Sequence, residues 1–174
     1  MMAGSSALRA PAEVTLAVGI AQCVISDDPR VMLVSYGLGS CVGIAAWDPV
    51  TRVAGLIHIL LPEPAAHDRA PSPARFATTG IPHLIGELTS AGAVPARLRV
   101  VAAGGAQMLA ALAIGGVAKG IGARNSEVVQ ATLEQTGLRL AAHDFGGSAG
   151  RTIGLCVATG IAWVRAAGGQ PRDL

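Results

Sequence analysis

Gly37–Leu60 reads GLGSCVGIAAWDPVTRVAGLIHIL, two apolar runs on either side of a turn. Val42–Trp47 and Val53–Leu60 are dominated by aliphatic residues, and Asp48-Pro49-Val50-Thr51 separates them. Asp at the first turn position and Pro at the second are the choices of a type I turn. The pattern predicts an antiparallel hairpin. A two- or four-residue loop centred between Pro49 and Val50 places Cys41 directly opposite His58. Opposed residues share one face, with Cβ atoms about 4.5–5.5 Å apart. A three-residue loop would turn His58 to the other face.

A thiol and an imidazole in reach of each other make an activated cysteine nucleophile. His58 as imidazolium would lower the Cys41 pKa, and the same ring could protonate a leaving group. Gly39 lets a substrate backbone approach, and the N–H groups of Ser40 and Cys41 are candidate oxyanion donors. The plainer reading treats a cysteine in an apolar strand as a small buried hydrophobe, and it is assigned here to Cys23 and Cys156. A histidine between Ile57 and Ile59 can equally be a satisfied core residue. Gly37-Leu38-Gly39-Ser40 is too short for a phosphate loop.

Outward from the hairpin, Val14–Ile25 reads as one strand and Val31–Tyr36 as another. Pro62–Pro73, with four prolines, is a surface loop, and Ala74–Ala91 has helical periodicity that Pro82 should kink or restart. Arg97–Ala103 is strand-like and runs into Gly104-Gly105, which suit a tight turn or the lining of a substrate groove. Asn125 is expected to cap a helix over Ser126–Thr136, or to line that groove, with Gly137 just past the helix end. Leu138–Phe145, Arg151–Ala158 and Ile161–Arg165 close the chain as strands, the last two joined at Thr159-Gly160. Residues 1–13 read as a disordered tail, and 14–174 as a single domain without repeats or linkers.

The 174 residues are 51% hydrophobic and 3% aromatic, so the core is aliphatic and intrinsic disorder is excluded. A formal net charge of +2, spread over 13 basic and 11 acidic residues without clusters, argues against a nucleic-acid surface. Val31–Trp47 and Val100–Ala118 approach the ~20 residues of a membrane span, but glycines interrupt both, as buried strands and turns would. No export signal is evident at Met1–Glu13. Three cysteines without CxxC spacing fit reduced thiols in the cytoplasm, and the four histidines show no metal-ligand spacing.

Several blocks resemble the CheD family in order. They are GLGSCVGIAAWDP at Gly37–Pro49, GLIHILLP at Gly55–Pro62, Ala103-Gly104-Gly105, Ile121–Asn125, and Asp144 through Gly146-Gly147 to Gly150-Arg151. The resemblance implies an α+β layered single domain, with packed central β-sheets and helices on the outside. It implies a protein-glutamine deamidase that converts glutamine side chains of bacterial chemoreceptors to glutamate and ammonia. The family's cysteine and histidine fall on Cys41 and His58, and its threonine falls on Ser35, which keeps the hydroxyl. Relatives tend to carry aspartate where Thr78 stands. Chemoreceptors, and a phosphatase of the CheC type, are the implied partners, and no metal or organic cofactor is needed. The alternative is a non-catalytic module that docks on a receptor or phosphatase and regulates it.

Overall fold

The computed structural model describes residues 13–68, 72–107 and 120–174, and these form ten strands and two helices. In chain order they are β1 (Val14–Ala17), β2 (Cys23–Ser26), β3 (Val31–Leu38), β4 (Val42–Trp47), β5 (Ala54–Ile59), α1 (Ala77–Ser90), β6 (Arg99–Gly104), α2 (Ile121–Gln135), β7 (Leu140–Phe145), β8 (Arg151–Cys156), β9 (Ala162–Ala166) and β10 (Arg172–Asp173). One sheet runs β1-β3-β8-β9-β10 and the other β2-β5-β4-β6-β7. Two apolar layers hold them together. Leu33, Leu38, Leu56, Ile153 and Leu155 fill the space between the sheets, and Ile44, Ile57, Ile81, Leu84 and Leu133 fill the space between the second sheet and the helices. The domain is therefore α+β, with both helices on one outer face.

The run Val14–Ile25 is not one strand. It breaks at Val18–Gln22, where Gln22 N–H donates to the Gly19 carbonyl (3.1 Å) and Ala21 takes φ 57°. Its first half pairs with β3 and its second half with β5, in different sheets. Apolar periodicity is the same on both sides of the break, so only Gly19 hints at it. The tail expected over residues 1–13 lies outside the described residues except for Glu13, whose N–H donates to the Arg30 carbonyl.

The β4–β5 hairpin forms, two residues out of the expected register. Its loop is Pro49–Arg52, with Asp48 N–H donating to Val53 O (3.0 Å), Arg52 N–H to Asp48 O (2.8 Å), and Arg52 at φ 60°. Gly43, rather than Cys41, is therefore opposite His58. A shift of two preserves the face, so Cys41 remains on the same side as His58, one diagonal step away. The left-handed residue needed at position 52 is an arginine, which no turn preference identifies.

Asp48 anchors this loop from a buried position. Its carboxylate accepts the N–H of Val50 (2.9 Å) and of Val94 (2.8 Å), and pairs with Arg97 (2.7 Å). The Arg97 hydrogen bonds hold its pKa well below the usual carboxylate range.

α2 begins five residues earlier than expected, with Gly120 as N-cap, so Asn125 lies inside the helix and does not cap it. Pro82 sits within α1, which spans it as one element. No helix among the described residues is long and apolar enough to cross a membrane.

Asp48→Ala removes a buried carboxylate that accepts two backbone N–H groups and pairs with Arg97, and is expected to lower the thermal midpoint by about 5 °C or more, read by calorimetry.

Candidate active site

The chain changes sheets between β3 and β4, and the candidate site sits at that crossing. A bulge interrupts the β3–β8 pairing between Ser35 and Leu38, with Gly37 at φ 68°. It supplies one extra residue, so Ser35 and Leu38 both face the space between the sheets. Gly39-Ser40-Cys41 then crosses to β4.

Ser35 and His58 meet in that space, 0% and 2% exposed, at 2.9 Å between Oγ and Nδ1. The Ser35 hydroxyl donates its one proton to the Val18 carbonyl at 2.9 Å. It must therefore accept from His58, which places the imidazole proton on Nδ1. Nε2 is left with its lone pair, buried and without a partner among the described residues. Cys41, 8% exposed, packs on the same inter-sheet layer as Leu56, the neighbour of His58 on that face of β5. Gly43 stands opposite His58, where a Cβ would meet Leu38 Cδ1 at 2.9 Å.

Burial holds the His58 pKa below the ordinary 6.5, against a smaller upward pull from the Val18 carbonyl. Burial likewise raises Cys41 above 9.0, with its own backbone N–H pulling the other way. Both shifts favour a neutral thiol and a neutral imidazole, so the imidazolium expected at rest is not favoured. The two side chains share the layer between the sheets, but no hydrogen bond joins them, since Nε2 has no partner among the described residues. Cys23, half-buried near Glu87, is pushed up to about 12, and Cys156 is 1% exposed, in keeping with core roles.

Gly104 and Gly105 shape the loop beneath Cys41. Gly105 N–H donates to the Cys41 carbonyl (2.8 Å), and Ala106 N–H to Gly39 (2.7 Å). Gly104 has φ 126°, and a Cβ there would lie 2.1 Å from the Cys41 carbonyl oxygen. Asn125 Nδ2 donates to Ser40 O (2.8 Å) and Leu60 O (3.0 Å). Thr78 stands off from this group at the start of α1, its N–H on the Pro62 carbonyl.

Two features escaped the sequence reading. The Val18 carbonyl carries no side-chain signal. Arg151, 9% exposed, pairs with Asp144 across the two sheets (2.9 Å) and donates to Gly146 O (2.7 Å), while Arg172 also reaches Asp144 (2.7 Å). This network holds the glycine loop after β7 against the site, with Gly146 N–H on Gly104 O (3.0 Å) and Gln107 N–H on Gly147 O (2.8 Å). A depression of about 570 Å³ opens there, lined by Gly105, Gln107, Ser126, Phe145 and Gly147. A second, of about 600 Å³, lies at the far end of α2 near Arg139 and His143, among none of these residues.

Residues 60–166 match the protein family described as CheD chemotactic sensory transduction. A "Probable chemoreceptor glutamine deamidase CheD" of Symbiobacterium thermophilum is 42% identical over 159 residues, covering 91% of this chain and 96% of its own. The chain belongs to the CheD family. Relatives bearing the same name in Desulforamulus reducens (42% identical, 87% of this chain and 90% of that one) and Thermococcus kodakarensis (41%, 82% and 87%) agree. The family match begins after His58, but the 159 residues shared with the Symbiobacterium CheD necessarily include the whole Ser35–His58 segment.

The neutral pair sets the pH response of Cys41. Alkylation by iodoacetamide, mapped by mass spectrometry, should show an acid limb at a His58 midpoint below 6.5 that vanishes in His58→Ala, and a further rise as the thiol ionises above pH 9. Full thiolate reactivity already at neutral pH, with no rise in alkali, would mean an ion pair at rest. Gly104→Ala is expected to destabilise the fold by about 2 kcal/mol or more in denaturant titration, since strain and a backbone clash coincide there.

Proposed function

We propose that this chain is a chemoreceptor glutamine deamidase that works through a thioester on Cys41. The observation carrying the reading is the Val18–Ser35–His58 hydrogen-bond chain, which aims an unprotonated Nε2 into the inter-sheet space shared with Cys41. Membership of a family whose relatives bear that name supplies the substrate.

In the proposed cycle, His58 Nε2 takes the Cys41 proton as sulfur attacks the side-chain amide carbon of a receptor glutamine. The carbonyl oxygen becomes an oxyanion, held by the N–H groups of Ser40 and Cys41, with Gly39 leaving room for the substrate. The imidazolium exists only within the cycle, and the Ser35 oxygen accepts its Nδ1–H throughout. It returns the proton to the departing nitrogen, and ammonia leaves. His58 then deprotonates water, which attacks the thioester. The carboxyl product forms and the proton goes back to sulfur. Gly104 and Gly105 act by shaping the Cys41 loop.

Receptor signalling domains face the cytoplasm, and three free cysteines suit that compartment. Family membership also supports docking of a CheC-type phosphatase.

Incubating a receptor cytoplasmic fragment with wild-type protein and with Cys41→Ala tests the reading by mass spectrometry. Wild type should produce the mass gain of amide-to-acid conversion at glutamine, and Cys41→Ala should not. No gain with either, while the fragment still binds, would replace the enzyme with a docking module. Ser35→Ala should lower kcat by about 100-fold or more because the Nδ1 tautomer is no longer fixed, whereas Ser35→Thr should retain activity.

A further inference from the structure

The β4–β5 ladder ends at the pair Val42 and Ile59. Beyond it the strands part. Leu60 and Leu61 N–H turn to the Arg75 carbonyl (3.0 Å each), and the Gly39 and Cys41 carbonyls turn to Ala106 and Gly105. Two carbonyls remain between the separating strands: Ser40, one residue before Cys41, and Leu60, two residues after His58. Asn125 supplies a donor to each, at 2.8 and 3.0 Å.

We propose that Asn125 is a positioning residue that sets the reach between Cys41 and His58 by tying their two strands together where direct pairing has stopped. The inference rests on the reading of those residues as nucleophile and base. A carboxamide nitrogen is a neutral group with two donors, the requirement for bridging two carbonyl oxygens that otherwise repel each other. Asn125 is 0% exposed, so it acts beneath the site rather than on substrate.

Its own place is fixed. A Cβ on Gly122 would lie 2.4 Å from the Ala106 carbonyl oxygen, and one on Gly105 would lie 2.0 Å from Ser126 Oγ, so the first turn of α2 is pressed onto the loop that carries the Cys41 contacts. Asn125 follows on that rigid turn. Its Oδ1 is buried without a partner among the described residues. A residue present only to fill space would not need that unpaired oxygen, so the nitrogen end is what the position demands.

Asn125→Ala is compared with wild type in the full chain by three readouts: thermal midpoint, kcat and KM on a receptor fragment, and the rate of Cys41 alkylation by iodoacetamide at pH 7, located by peptide mapping. The expected result is a kcat lower by about 100-fold with KM within about threefold, and slower Cys41 alkylation in protein still folded at the assay temperature. Unchanged alkylation and kcat with only a lower midpoint would overturn the inference. If Asn125→Ala does not fold, Asn125→Ser, with one shorter donor, is read by the same criteria. Alkylation needs no glutamine. A wild type inactive on receptors but with Asn125-dependent alkylation would defeat the deamidase reading and leave this one standing.

Discussion

The hydrogen bond from His58 Nδ1 to Ser35 Oγ joins the two sheets through the middle of the core, and the chemistry proposed for Cys41 depends on it. Each partner comes from a strand of a different sheet, so the bond exists only once the sheets have closed. A buried polar pair of this kind is tolerated because every proton in it is accounted for: the hydroxyl proton goes to Val18, and the ring proton goes to the hydroxyl. The unsatisfied atom, Nε2, is the one the proposed proton transfer requires. The surrounding apolar layer of Leu33, Leu38 and Leu56 excludes water and keeps both residues uncharged.

Much of this was legible in the residues. The hairpin, the shared face of Cys41 and His58, and strands β7 to β9 all follow from apolar runs and turn chemistry, whereas the short β10 gave no such signal. The register did not, because the loop is closed by Arg52 in a left-handed conformation that its side chain does not advertise. An error of two residues spares the face and changes only the directness of the pairing. The break between β1 and β2 was hidden for a related reason: both halves are apolar and alternate in the same way, although they belong to different sheets.

Asn125 shows the opposite failure. A polar residue ahead of Ser126 and Glu127 satisfies the local rules for a helix cap. In the fold the helix starts five residues earlier, at Ile121, and the carboxamide serves the Ser40 and Leu60 carbonyls, just outside β4 and β5. Local preference cannot register a demand that arises 65 and 85 residues away. The Arg151–Asp144 pair was hidden in the same manner, since its purpose is to pin the loop after β7 against Gly104.

The sulfur of Cys41 is held in the thiol form, because burial outweighs the pull of its own N–H. Oxidants attack the thiolate, not the thiol. A thiol kept in this form resists conversion to sulfenic acid, so the apolar lining that delays its ionisation also protects it from peroxide.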